Sequence, residues 1–197
     1  MENSKRFAQI ERETKETKIK LYLCTESANP GLCGSSGIGF FDHMLNTFAL
    51  HGNFEFALDM SGDLEVDCHH SVEDVGIVLG SAFRQIIDQD KNITRFAHEY
   101  VPMDESFALC SVDLGGRAYL VFNAEFKARA IGQYDTQMTR EFFYALAQNM
   151  RSTIHVNLLY GENDHHKTEA IFKAAARAIK NALTPAGGHI VSTKGVI

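Results

Sequence analysis

The chain has 197 residues, 45% hydrophobic and 22% charged, enough to bury one sizeable core or two halves of about 100 residues sharing one. Its apolar runs span only a handful of residues, which excludes a helical membrane span, and the polar start MENSKRF lacks the apolar stretch of a secretory signal. A net charge of −6 argues against nonspecific nucleic-acid binding, while four scattered cysteines (Cys24, Cys33, Cys68, Cys110) without a CxxC pair argue against a disulfide scaffold and for a cytoplasmic setting.

Residues 5–13 read as a strand that pairs with 17–25, where Ile19, Leu21 and Leu23 alternate with Lys18, Lys20 and Tyr22. The stretch SANPGLCGSSG (27–37) is turn chemistry without periodicity and is expected to be a mobile loop. Phe41, Met44, Leu45 and Phe48 then share one helical stripe. Phe54, Phe56, Leu58 and Met60 alternate with polar neighbours, and after Ser61-Gly62 so do Leu64, Val66 and Cys68, which predicts a hairpin over 53–68. A longer stripe follows in Val72, Val75, Leu79, Ala82, Phe83 and Ile86. Segments 106–114 and 117–123 flank Gly115-Gly116 and predict a second hairpin. Phe142, Phe143, Leu146 and Met150 mark a third helix, 152–160 a strand, and Ile171, Ala175, Ala178 and Ile179 a fourth helix. Hairpins rather than strand–helix–strand crossovers predict an α+β layout, antiparallel-rich sheets with helices on one face.

The two halves echo each other. Asp67-Cys-His-His-Ser-Val-Glu73 returns as Asn163-Asp-His-His-Lys-Thr-Glu169, 96 positions on, and in each copy a strand precedes the motif and an amphipathic helix follows. This favours an internal duplication, with half-domains 1–92 and 93–197 forming one unit. Imidazole and carboxylate together bind divalent transition metals. At a helix start, residues three and four apart share a face, so His69 or His70 can meet Glu73, and His165 or His166 can meet Glu169. Neighbours on a helix point about 100° apart, so each histidine pair is expected to be split between two ions. His43 and Glu141 begin helices at nearly the same offset and complete eight candidates: His43, His69, His70, Glu73, Glu141, His165, His166 and Glu169. Four protein ligands per ion would leave open positions on an octahedral metal, a catalytic arrangement. His51, His98, His155 and His189 show no such partner pattern.

GFFDHML (39–45), DCHHSVED (67–74), PMDE (102–105), VDLGGRAYL (112–120), EFFYAL (141–146), GENDHHKTEAIFKA (161–174) and the STKG tail closely resemble the imidazoleglycerol-phosphate dehydratase family, a lyase family of histidine biosynthesis, and the resemblance spans nearly the whole chain. It implies two homologous halves, each a four-stranded sheet with two helices, a fold shared with a domain of a small-subunit ribosomal protein. It implies two Mn²⁺ ions held by the eight candidates, and a homo-oligomer of twenty-four subunits with active sites where subunits meet. The implied reaction dehydrates D-erythro-imidazole-glycerol 3-phosphate to imidazole-acetol phosphate, the ring being bound as imidazolate between two Lewis acids. Many members carry histidine where this chain has Glu141; the harder carboxylate should favour Mn²⁺ slightly over Zn²⁺. The resemblance places Glu16 as the acid–base group and Arg95, Arg117, Lys173, Ser192 and Lys194 at the substrate phosphate. Without it, each of these reads as an ordinary surface group. Two rivals remain at this point: a di-metal phosphate-ester hydrolase, which would release phosphate, and a metal-storing assembly, whose sites would be closed.

Overall fold

The computed structural model describes residues 6–187. Strands β1 (Phe7–Glu13), β2 (Thr17–Thr25), β3 (Gly31–Ser35) and β4 (Phe54–Gly62) form one sheet in the order β1-β2-β4-β3, with α1 (Gly39–Gly52) between β3 and β4 and α2 (His69–Gln89) after β4. Strands β5 (Phe96–Met103), β6 (Ser106–Asp113), β7 (Tyr119–Asn123) and β10 (Thr153–Tyr160) form a second sheet in the matching order β5-β6-β10-β7, with α3 (Met138–Met150) and α4 (Asp164–Ala182) placed as α1 and α2 are. A small ribbon of β8 (Ala130–Ile131) and β9 (Tyr134–Asp135) is inserted between β7 and α3. In each sheet two pairings are antiparallel and the last is parallel, an α+β fold as expected.

Strand alternation decides which face is covered. Thr17, Ile19, Leu21 and Leu23 of β2 are buried while Lys18 and Lys20 are exposed, so one face meets helices and the other water. Helix α2 packs on β1 and β2, and α4 on β5 and β6; across the halves α2 meets α3 and α1 meets α4. One apolar core therefore runs through both halves, joined by aromatic contacts such as Phe48–Phe172 and Phe41–Phe142.

Four local expectations are corrected. Residues 27–37 contain β3, a glycine-rich edge strand: Gly34, at φ +106°, lies so close to β4 that a Cβ there would sit 1.8 Å from the Leu58 carbonyl oxygen. Small residues that permit this approach erase the side-chain pattern by which a strand is read. Leu64–Cys68 is not a strand but turns, with Val66 N–H donating to the Asp63 carbonyl and Asp67 accepting the His69 N–H at the mouth of α2. Segments 106–114 and 117–123 are not a hairpin: β6 and β7 both pair with β10, from opposite sides. The Gly115-Gly116 signal has another cause, since a Cβ at Gly115 would lie 2.3 Å from the Arg95 guanidinium and 2.6 Å from the Asp113 carboxylate. Finally, β5 is an edge strand absent from the predicted order; its outward Phe96 and Tyr100 are half exposed, which breaks the apolar-in, polar-out rule.

Gly76 and Gly80 let α2 and α3 approach: a Cβ would stand 2.8 Å from the Phe142 carbonyl oxygen and 2.7 Å from that of Leu146, respectively. Gly80→Ala is therefore expected to destabilise the chain by about 1–3 kcal/mol through overpacking, despite alanine's higher helix propensity of about 1 kcal/mol. Chemical denaturation checks this, and a net gain in stability would show that the helices part freely.

Candidate metal and active site

Helix α4 begins at a capped end, the Asn163 side chain accepting the backbone N–H groups of His165 and His166. Its next turn carries Glu169, and the packing of α1 against α4 delivers His43 to the same spot. Glu169 Oε2 lies 3.5 Å from His43 Nε2 and 3.3 Å from His165 Nε2, and the three donor atoms all fall within 4.8 Å of one another. Phe40 closes the flank, its ring edge-on to both imidazoles. The other carboxylate oxygen of Glu169 accepts from Lys173 Nζ at 2.7 Å. Burial alone would raise the Glu169 carboxyl; the bonded Lys173 ammonium, with the two imidazoles, holds it below its ordinary value instead. This is a donor set that suits a divalent cation, two imidazole nitrogens and an ionised carboxylate on two rigid helices.

The matching place in the first half is looser. His69 Nε2 and Glu73 Oε2 stand 3.6 Å apart on the first turns of α2. Glu141, on α3, pairs with Arg140 at 2.9 Å, and among the described residues no hydrogen bond or ion pair joins it to His69 or Glu73. The second histidine of each pair turns away from the first, as the helical angle requires. His70 bonds Asp63 through Nδ1 at 2.9 Å, with Glu16 3.8 Å from its Nε2. His166 bonds Glu105 through Nδ1 at 2.7 Å, with Asp104 3.6 Å from its Nε2. These hydrogen bonds raise the pKa of both imidazoles against a smaller opposing effect of burial. One chain thus gathers three of the eight candidates into one cluster and leaves the other five outside it, His69 and Glu73 paired with each other.

Glu16 stands at the end of the β1–β2 turn, 53% of its side chain exposed, on an open pocket of about 320 Å³ that Asp63 and Glu65 also line. The turn is held from inside: Thr14 Oγ1 accepts the N–H groups of Glu16 and Thr17, Thr17 Oγ1 donates to Asp74, and Arg12 Nε donates to Asp74 at 3.0 Å. Arg12 and Asp74 thereby join this turn to α2. Asp164 has a similar structural part, accepting from Lys127 N, Ala128 N and Lys167 Nζ.

Of the candidate phosphate groups, Arg95 clasps Asp113 with two donors, at 2.7 and 3.1 Å, and lies over the Phe96 ring. Arg117 is 78% exposed and 4.0 Å from the same carboxylate. Lys173 is tied to Glu169, one turn beyond the three-residue cluster. Ser192 and Lys194 lie outside the described residues, as does His189.

Sequence reading passed over Asp63, Asp104 and Glu105 as partners of the paired histidines, and His51 as a neighbour of the cluster. His51 follows His43 by two turns of α1; burial lowers its pKa, and the nearby Lys173 and Arg177 lower it further. The signal for Glu105 was present: a carboxylate followed by a hydroxyl residue opens the second strand of each half, Glu16-Thr17 and Glu105-Ser106.

Residues 36–179 match the sequence profile of the family described as imidazoleglycerol-phosphate dehydratase. The protein of that name from Streptococcus mutans is 48% identical over 194 residues, covering 98% of this chain and all of the relative. The one from Phenylobacterium zucineum is 45% identical over 195 residues, covering 98% and 99%. Among solved structures, the imidazoleglycerol-phosphate dehydratase of Staphylococcus aureus superposes with a TM-score of 0.82 at 36% identity, over 91% of this chain and 99% of that one. The Pyrococcus furiosus structure gives 0.81 at 33% identity, over 95% and 100%.

Proposed function

Because the chain belongs to the imidazoleglycerol-phosphate dehydratase family, lyases of histidine biosynthesis, we propose that it dehydrates D-erythro-imidazole-glycerol 3-phosphate to imidazole-acetol phosphate at a site that takes two Mn²⁺ ions. The observation that supports the metal most directly is the convergence of His43, His165 and Glu169 on one point. His69, His70, Glu73, Glu141 and His166 would supply the remaining ligands. When bound, Mn²⁺ supplies Lewis acidity toward the substrate's ring nitrogens. The chain's own residues do the rest. Glu16, on an exposed turn beside His70, is the group that takes and returns a proton. Arg117 and Lys173 offer cations to the phosphate, with Arg95 set by Asp113, and Ser192 and Lys194 complete that end.

We read the two halves, 1–92 and 93–197, as an internal duplication, supported by their common strand order. We further read the enzyme as a cytoplasmic homo-oligomer of twenty-four subunits whose active sites form between chains. What supports assembly is that His70 and His166 face away from the cluster their own chain forms, and that large apolar side chains (Phe96, Tyr100, Tyr160) stand exposed on the second sheet. No helix among the described residues is long and apolar enough to cross a membrane.

The test is an ultraviolet assay on the imidazole substrate with metal content per chain and analysis of products. An imidazole ketone phosphate supports the dehydratase, whereas released phosphate would support a di-metal hydrolase. Acidification provides a separate check. Histidine must be neutral to ligate, and Asp63 and Glu105 keep His70 and His166 protonated to higher pH than the ordinary value of about 6.5. Mn²⁺ affinity should therefore be full above that raised range and begin to fall before pH reaches about 6.5. Constant affinity down to about pH 4.5 would rule out histidine ligation.

A further inference from the structure

We propose that Asp63 and Glu105 are positioning residues, each gripping the Nδ1 edge of the second histidine in its pair so that His70 and His166 present Nε2 as the outward-facing donor. The proposal rests on the reading of these two histidines as metal ligands. It is carried by a comparison of the two halves. The first histidines, His69 and His165, meet the carboxylate four residues on along their own helix, through Nε2. The second histidines meet a carboxylate from a different element, through Nδ1, at 2.9 and 2.7 Å.

Those two carboxylates come from places that do not correspond. Asp63 follows Gly62 at the end of β4, and the residue that follows Gly161 at the matching end of β10 is Glu162. Glu105 precedes Ser106 in the β5–β6 turn, and the residue at that place in the first half is Glu16. Each half therefore reaches the same contact from the opposite strand end. An incidental neighbour inherited with the repeat would sit at equivalent positions; a contact rebuilt from different residues reflects a shared need. That need is chemical. A neutral imidazole carries one proton, and the carboxylate at hydrogen-bond distance from Nδ1 keeps the proton there against the more distant Glu16 and Asp104 at Nε2, 3.8 and 3.6 Å away, leaving the Nε2 lone pair available. Carboxylates that orient histidine ligands are worth about 10- to 100-fold in metal affinity.

Glu105 allows a decisive substitution. Its Oε1 accepts from Glu162 N, Asn163 N and Ser106 Oγ, while Oε2 alone faces His166. In Glu105→Gln the amide oxygen must stay with those donors, which turns the NH₂ toward His166. Nδ1 then has to accept, the proton moves to Nε2, and the donor atom is blocked although size and turn are unchanged. Asp63 has no such constraint, since its Oδ1 is buried without a hydrogen-bond partner among the described residues, so Asp63→Asn can turn its oxygen to Nδ1.

The experiment uses the full chain labelled with ¹⁵N-histidine. In the metal-free protein at a pH where histidine is neutral, imidazole ¹⁵N shifts should show His70 and His166 as Nδ1–H tautomers, and Glu105→Gln should convert His166 to Nε2–H. Calorimetric titration with Mn²⁺ alone should show Glu105→Gln weakened about 10- to 100-fold, Asp63→Asn weakened less, and Glu162→Gln unchanged. Wild-type affinity and tautomer in Glu105→Gln would overturn the proposal. Failure of the unaltered protein to bind Mn²⁺ at all would instead overturn the metal reading on which it rests.

Discussion

Glu16→Gln is expected to lower turnover by about two to four orders of magnitude while leaving Mn²⁺ content, assembly and substrate binding near those of the unaltered protein. Glutamine keeps the shape and hydrogen-bonding capacity of the side chain and removes only its ionisable proton. The fold permits so selective a result. Glu16 contributes nothing to the core, and its turn is held by Thr14, Thr17, Arg12 and Asp74 rather than by its own carboxylate. His70→Ala should behave differently, losing Mn²⁺ together with activity. Steady-state rates on the imidazole substrate, with metal analysis and particle size measured on the same preparations, separate the two outcomes. Near-normal turnover in Glu16→Gln would move the acid–base role to another carboxylate beside a paired histidine, with Asp104 the first to examine, 3.6 Å from His166 Nε2.

Exhaustive chelation should abolish turnover and shift the particle to smaller oligomers, and Mn²⁺ should restore both. The physical ground is that, among the described residues, a single chain draws just three of the candidates, His43, His165 and Glu169, into one cluster, while His70 and His166 are held facing elsewhere. If the missing ligands come from a neighbouring chain, metal binding and association share one free energy, and each strengthens the other. Light scattering and the ultraviolet assay, run on the same chelated and reconstituted samples, check the prediction. A full-sized, fully active particle without metal would contradict it.

Several features are legible in the sequence because they depend on local chemistry. The four helices follow from apolar stripes at helical spacing, and each stripe is buried where the spacing places it: Phe41, Met44, Leu45 and Phe48 in α1, Phe142, Phe143 and Leu146 in α3. That the two histidines of a pair point apart follows from the turn of an α-helix alone, and His165 and His166 meet different carboxylates. The family resemblance was readable for a related reason: its motifs lie at helix starts and strand ends, where chemistry constrains residue type more than packing does.

What pattern alone did not reveal are contacts between distant parts of the chain. Edge strands β3 and β5 pair on one side only, so their side chains need not alternate, and β3 is defined by backbone approach at Gly34 instead. The partner of β7 could not be read from Gly115-Gly116, because glycine marks close approach as well as a reversal, and here it makes room for Arg95 and Asp113. The carboxylates at His70 and His166 arrive from a strand end and a turn, seven and 61 positions away. Periodicity encodes which face of an element is buried; it carries no record of which element lies across the gap, and that is settled only when the two halves pack together. The sequence by itself thus determined the helices, the repeated histidine–carboxylate pattern and the family. The tertiary structure alone decided strand order, which three candidate ligands converge, and which carboxylates bond the second histidines.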